Sequence, residues 1–310
     1  MKIPAWLVLG LFVLALTSCG SLGISFDRGQ LVSNIFENRE QLAKADEDTD
    51  GDYSPEQEYY LGRAVAAQIL GDKQRYTPSL QAESRRYINL LGLSLAWCST
   101  MPETYNGWHF LVLDSSEINA FSAPSGFILV SRELLRCAKS EDEVAAILAH
   151  EIGHVTLRHG IGVISSAHRT EARKENAKTV FKGTVSIELP FGISVSAEKM
   201  GKLLGVSVLD IAETLVNKGY SREQEYQADA AAIAILQNAG YDPRGLVRML
   251  QVMQTKWKPD GLGFMKTHPS PVDRINAVEQ VLASAPTAAA PSATVTAARQ
   301  ARYQAALGKS

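Results

Sequence analysis

The sequence predicts an α+β domain that is mainly α, with one small β-sheet beside a central helix, and three observations carry that prediction. Helix-start signals recur: Ser54-Pro55-Glu56-Gln57, Ser140-Glu141-Asp142-Glu143 and Ser221-Arg222-Glu223-Gln224 each set a serine three residues before a Glu or Gln that can reach back, an arrangement that satisfies two otherwise orphaned backbone amides. Sheet-forming residues cluster in one region only before residue 180, at 108–113 and 126–131. The chain has 310 residues, 45% apolar and 21% charged, which is ample for a buried core and excludes global disorder. The formal charge is -2, so the basic surplus that marks nucleic-acid binders is absent and no nucleic-acid partner is expected.

In chain order, residues 1–18 form an n-region with Lys2, an apolar run and small residues at a cleavage point, which is an address and not part of the fold. The segment ending in Cys19 resembles the lipobox of bacterial lipoproteins. That resemblance implies cleavage before Cys19, acylation of its thiol and new amino group and, with Gly20 following, sorting to the outer membrane. Residues 19–53 read as a tether, ending in the acidic run 46–52. Its first six positions fit a calcium loop, but Gln57 stands where the loop needs a bidentate Glu, so a solvated turn is the preferred reading. Two other cysteines, Cys98 and Cys137, permit a disulfide in an oxidising compartment and equally suit two reduced thiols.

The domain proper is expected over 54–283. A helix starts at Pro55 and stops at Gly71, a second covers 80–95, and the two strands flank Asn119-Ala120-Phe121-Ser122-Ala123-Pro124. After Ser140 a helix carries Val144, Ile147, Leu148, Ile152 and Val155 at helical spacing and is expected to end at Gly160, with Arg158 and His159 in its last turn. Segment 185–195 reads as a hairpin or flap, and helices are expected at 200–217, 221–239, 243–255 and 271–283. From Ser284 to the end, the Ala/Pro/Thr/Ser-rich composition reads as a disordered tail, 284–310. No apolar stretch after residue 20 reaches 18 residues without a charge; the best candidate, 203–216, contains Asp210 and Glu213.

The central helix carries His150-Glu151-Ile152-Gly153-His154. Residues four apart on a helix are rotated by only about 40° and raised by about 6 Å, so both imidazoles leave one face and can grip one ion, with Glu151 beside them to take a proton from water. Zinc suits such a site because it accepts three protein ligands and keeps a fourth position for water. A third ligand is therefore needed. A histidine of the metzincin spacing is excluded, since Leu157 and Gly160 occupy the positions where Gly and His belong. Glu225 and Asp229, four apart on a later helix, offer a carboxylate ligand and an acceptor that can hold a ligand imidazole in its correct tautomer.

These residues, with Thr267-His268-Pro269-Ser270-Pro271 and Arg274, together with Tyr59-x-x-Gly62 and the segment at Asn119, resemble metallopeptidase family forty-eight, the gluzincins that include the CAAX prenyl protease, HtpX and the Oma-type proteases. The resemblance runs over about 54–282 and implies a zincin-like fold with one zinc ion per chain. It implies His150, His154 and Glu225 as zinc ligands, Glu151 as general base, and His268 and Arg274 near the oxyanion. Unlike the polytopic members, this chain has no membrane helices in its reading, so it resembles the lipoprotein branch of bacterial envelopes. Residues Asn119, Ala120, Phe121, Ser122 and Ala123 are expected to offer a strand edge to an extended substrate. His268 can instead fold in as a fourth ligand that keeps the site latent, and Arg274 can simply pair with a carboxylate. His109, His159 and His168 read as structural or solvent-facing. The expected function is zinc-dependent hydrolysis of misfolded or unassembled envelope proteins by a lipoprotein of the outer membrane facing the periplasm. The alternative is a largely latent zinc protein acting as a periplasmic chaperone or assembly factor for outer-membrane proteins.

Overall fold

The computed structural model describes residues 53–165, 219–256, 268, 271–284 and 291–308. The expected signal segment, Cys19, the tether up to residue 52 with its acidic run, the 185–195 flap, His168 and the 200–217 helix lie outside the described residues.

Eight helices and four strands order the described chain, with a further helical stretch over 159–165. Helix α1 (Pro55–Gly71) begins as expected: Ser54 Oγ accepts from Gln57 N, and Gln57 Oε1 accepts from Ser54 N at 2.7 Å. Strand β1 (Thr77–Pro78), too short and too exposed to leave a pattern, precedes α2 (Ala82–Trp97). Strands β2 (His109–Asp114), β3 (Ala120–Ala123) and β4 (Phe127–Ser131) follow. The β3–β4 turn puts Ser125 at φ 60° and Gly126 at φ 90°, so β4 starts one residue later than the β-forming composition suggests. A short helix α3 (Arg132–Cys137) leads to the central helix α4 (Glu141–Thr156). The remainder is α5 (Arg222–Asn238), α6 (Arg244–Lys256), α7 (Pro271–Ser284) and α8 (Ala293–Leu307).

The sheet has the order β1-β2-β4-β3, with β2 and β4 parallel and the two outer pairings antiparallel. Strand residues alternate between faces, and the alternation sorts two apolar layers. Phe110, Val112, Ile128 and Val130 face α2 and α4 in the larger core, whereas Leu113, Leu129, Phe121 and Ala123 pack with Leu61, Val65 and Ile69 of α1. Helix α1 can lie against the turn after β3 only because residue 62 is glycine: a Cβ there would meet Pro124 O at 1.9 Å.

Three expectations are corrected. The Ser140 cap is half of the expected box: Ser140 Oγ accepts from Glu143 N, but the Glu143 carboxylate accepts from Lys139 N at 2.7 Å instead of from the cap residue. Helix α4 ends at Thr156, before Gly160, because Arg158 takes φ 57° and the chain turns into a new helical stretch over 159–165. The tail is helical over Ala293–Leu307 and not disordered there. Its alanines, glutamines and arginines are good helix formers, and Arg299, Tyr303 and Leu307 recur on one buried face. Tyr303 Oη donates to Ala138 O at 2.7 Å, and Arg299 and Arg302 pair with Asp142 and Glu141 at the start of α4. Cys98 and Cys137 are free thiols; Cys137 is buried and its Sγ lies 3.3 Å from Glu133 O.

Candidate metal centre

Helix α4 is buried along nearly its whole length, so its polar residues face one another across helix interfaces instead of water. Against it lies α5, whose capping box at Ser221 is complete, with Ser221 N donating to Gln224 Oε1 at 3.0 Å. The two helices approach closely where small residues meet. A Cβ on Gly153 would sit 2.9 Å from Ala228 O, and the same approach brings Glu225, one turn before Ala228, over His150 and His154.

His150, His154, Glu225 and His268 each offer one donor atom, and these four atoms all lie within 4.8 Å of one another, every residue buried. The Nε2 atoms of His150 and His154 are 3.1 Å apart. Glu225 reaches both, with Oε2 at 3.5 Å from His150 Nε2 and Oε1 at 3.4 Å from His154 Nε2. Zinc–nitrogen bonds of about 2.0–2.1 Å imply donors about 3.3 Å apart on a tetrahedron; the two imidazoles approach that separation, and the Glu225 carboxylate straddles them with one oxygen towards each. His268 Nδ1 stands 2.8 Å from Glu225 Oε1 and 3.4 Å from His150 Nε2.

Charge bookkeeping agrees with the geometry. Glu151, Glu225 and Asp229 are buried carboxylates and Arg274 is a buried guanidinium, so buried acids outnumber the one fixed buried cation, an imbalance that a bound cation would offset. Among the described residues neither carboxylate oxygen of Glu151 has a hydrogen-bond partner, although both are buried; His268 Nε2 stands 3.8 Å from Oε1. A carboxylate buried this completely calls for a compensating cation nearby. The residues present therefore fit a zinc ion.

A surrounding layer holds these groups. His150 Nδ1 lies 2.9 Å from Asp229 Oδ1, as the four-residue spacing of Glu225 and Asp229 anticipates. Arg274, in the first turn of α7, grips Asp229 through two bonds, Nε to Oδ2 at 2.7 Å and Nη2 to Oδ1 at 2.6 Å, and its Nη1 lies 2.6 Å from Glu225 Oε2. Its partners are thus buried carboxylates and not a surface one. Burial raises the Glu225 pKa, but His268, Arg274 and the two ligand-type imidazoles outweigh it and hold the carboxyl well below its usual range. Asp229 is likewise lowered, mainly by Arg274 acting against burial. For His150, burial and Arg274 work downwards, yet Asp229 and Glu225 prevail and raise it to about 9. Burial keeps His154 well below 6.5.

Two residues here escaped the sequence reading. His159, expected at a helix end, turns back through the Arg158 kink so that its Nδ1 meets His154 Nδ1 at 2.9 Å, while its Nε2 meets Gln227 Oε1 at 3.0 Å. With His154 Nε2 facing the donor group, the proton sits on His154 Nδ1. His159 then accepts at Nδ1 and donates from Nε2 to the amide oxygen, which fixes every proton in the chain. A histidine five residues after the motif was the available signal, but the left-handed residue that aims it is not readable locally. Loss of such an outer partner costs about 10–100-fold in metal affinity. His159→Ala is accordingly expected to weaken zinc binding by that factor in competition with a chromophoric chelator, and unchanged affinity would remove the His154–His159 bond from the account. Tyr220, just before the Ser221 cap, stacks on His154 with ring centroids 3.9 Å apart and donates its hydroxyl to Ser122 O at 2.9 Å. Burial pushes its phenol pKa up, so it remains a donor.

Residues Ala120, Phe121, Ser122 and Ala123 form β3, which pairs only with β4 and so ends the sheet among the described residues. Phe121 points into the α1 layer, edge-on to Tyr76. Asn119 lies just before the strand, its N–H donating to Ser131 Oγ at 3.0 Å. The Ser122 carbonyl points off the sheet, where Tyr220 takes it. No described helix is long and apolar enough to cross a membrane.

The model of peptidase family M48 matches residues 82–282. The chain is 28% identical over 221 residues to the beta-barrel assembly-enhancing protease of Escherichia coli O157:H7, covering 71% of this chain and 42% of that protein. It is 30% identical over 193 residues to the beta-barrel assembly-enhancing protease of Yersinia pestis, covering 62% and 37%. It is 29% identical over 180 residues to the mitochondrial metalloendopeptidase OMA1 of Schizosaccharomyces pombe, covering 57% and 48%. The chain spans less than half the length of each of these three relatives.

Proposed function

Because the chain belongs to peptidase family M48, with the whole donor set inside the matched residues, we propose that it is a zinc endopeptidase acting on misfolded or unassembled proteins of the bacterial envelope. The observation that carries this reading is one buried group: four donor atoms gathered around a point, with the partnerless Glu151 carboxylate beside them. His150, His154 and Glu225 hold the zinc, and Asp229 and His159 fix the two imidazoles. When bound there, zinc supplies Lewis acidity, drawing the pKa of water down towards about 7. Glu151 accepts the proton of the attacking water and afterwards delivers it to the leaving amine. The β3 edge from Asn119 to Ala123 lines up the substrate backbone, which displaces Tyr220 from the Ser122 carbonyl. In support of the substrate class, two of the relatives carry assembly of β-barrels in their names. The lipobox-like run 16–20 ending in the Cys19 region supports a location for the enzyme on the periplasmic face of the outer membrane, held there through an acylated Cys19. The full chain loaded with zinc is expected to degrade denatured casein, to stop when the metal is chelated, and to resume when zinc is returned. Degradation that survives chelation and metal analysis showing no zinc would refute the reading.

A second reading has its own observation. His268 Nδ1 sits inside the donor group, within 2.8 Å of Glu225 Oε1, where it would fill the position a water needs. In that arrangement the protein is latent, and a chaperone or assembly role would not require turnover. His268→Ala separates the two: casein degradation rising several-fold identifies a latch, whereas loss by about 10²-fold or more identifies a group that stabilises the developing oxyanion.

A further inference from the structure

Helices commonly finish on a left-handed residue just past the C-cap, and that residue is by default glycine, because a Cβ makes the conformation costly. Helix α4 finishes differently. Its C-cap is Leu157, and the next residue, at φ 57°, is an arginine. Among the described residues only Ser125 is also a non-glycine at positive φ. Backbone strain kept beside a functional site points to something the side chain does, and the Arg158 side chain reaches away from its own helix. Its Nη2 donates to Glu58 Oε1 on α1 and to Tyr53 O at 3.4 Å, where the chain enters that helix. The Glu58 side chain is only 13% exposed there. Glu58 stands one turn before Gly62, the residue that lets α1 meet Pro124, and Pro124 also presses on the Arg158 turn, since a Cβ on Gly160 would come within 3.3 Å of its ring. Helix α1, the turn after β3 and the end of α4 converge at this point. The residue that follows Arg158 is His159, itself buried, with Nδ1 2.9 Å from His154 Nδ1.

We propose that Glu58 and Arg158 are positioning residues of the metal centre: their ion pair ties the left-handed turn to α1, and the tied turn holds His159 against the zinc ligand His154. The inference rests on the zinc centre of the reading above and goes beyond it, because it gives a part in metal binding to a helix that supplies no ligand. The bond made by the outer nitrogen of a ligand imidazole sets its tautomer and ring orientation, and the partner can do this only if it is itself held. Gln227 of α5 holds the far nitrogen of His159, so what remains to be fixed is its backbone. Glycine at 158 would adopt the turn without strain but would tie it to nothing outside α4. Arginine accepts the strain and gains an anchor on α1.

The test is the zinc affinity of the full chain in competition with a chromophoric chelator, read together with the melting temperature of the metal-free chain. Glu58→Gln/Arg158→Gly removes both charges, so no carboxylate is stranded, and relieves the backbone at 158. Its metal-free melting temperature is expected not to fall, while its zinc dissociation constant rises about 10-fold, the lower end of what losing an outer partner of a ligand costs. A pair that served packing alone would give the opposite result, a lower melting temperature with zinc affinity unchanged. Added to His159→Ala, the same two substitutions should cost no further affinity, because the link acts through His159. Should the double variant not fold, the nearly isosteric Glu58→Gln alone should still weaken zinc several-fold, and Arg158→Lys, which keeps a cation towards Glu58, should lose less than Arg158→Gly. Wild-type affinity in these variants, or an equal further loss when His159 is already alanine, overturns the link and leaves the zinc centre standing. A wild-type chain that binds no zinc overturns both. Peptide cleavage has no part in the readout, so a chain that binds zinc without cleaving peptides sinks the peptidase reading and leaves the link to be decided by affinity.

Discussion

Replacing Glu151 by Gln is expected to lower kcat/KM for peptide cleavage by about 10³-fold or more while leaving bound zinc unchanged. The amide has nearly the same shape, so the packing of α4 is preserved, but it cannot accept a proton from water or hold one for the leaving nitrogen, and acid–base transfer of this kind contributes about 10²–10⁴-fold. The donors His150, His154 and Glu225 are untouched. Stability should not fall, because the carboxylate removed is wholly buried and has no hydrogen-bond partner to lose. Rate on a quenched peptide, zinc content by metal analysis and the melting temperature check the three parts separately. A Gln variant that cleaves at the wild-type rate would show that another group carries the proton.

Arg274→Met is expected to destabilise the metal-free protein by about 3–5 kcal/mol, the range for breaking a buried ion pair from one side. Burial works against the charge of Arg274, but Asp229 and Glu225 outweigh it and keep the guanidinium protonated. Without it, two carboxylates that are almost completely buried lose their cation. Urea unfolding of the metal-free chain measures the loss. The double variant Arg274→Met/Asp229→Asn should recover part of it, because one of the stranded charges is then gone, and no recovery would mean that Arg274 acts through packing alone. A single-variant cost below about 1 kcal/mol would show that the pair is not desolvated as the structure indicates.

The parts of the site that were legible in the sequence are those set within one element. His150, Glu151 and His154 had to share a neighbourhood because a helix returns to the same face every four residues, and the Ser140 and Ser221 caps mark where such helices begin. The pairing of Glu225 with Asp229 follows the same rule. His268 and Arg274 came from the family resemblance, and their positions were open between oxyanion, latch and simple ion pair; the structure sets His268 among the metal donors and Arg274 on two buried carboxylates. What could not be read was any placement that depends on a kink or on a distant partner. His159 is aimed by a single left-handed residue, Arg158, and Tyr220 reaches Ser122 across the gap between α5 and β3. The C-terminal helix was misjudged from composition, because its order comes from Arg299, Arg302 and Tyr303 finding partners at the start of α4.

By itself, then, the sequence determined the class of fold, the central helix and the two histidines and glutamate on one of its faces, since periodicity and capping are local and need no partner. Only the tertiary structure decided how the centre closes. The close approach of α4 and α5 at Gly153 and Ala228 sets the separation of Glu225 from the histidines, and the first turn of α7 brings Arg274 to neutralise both acids. Those distances are fixed by how small residues allow backbones to meet and by the need to pair every buried charge, and both conditions are properties of the packed chain rather than of any segment of it.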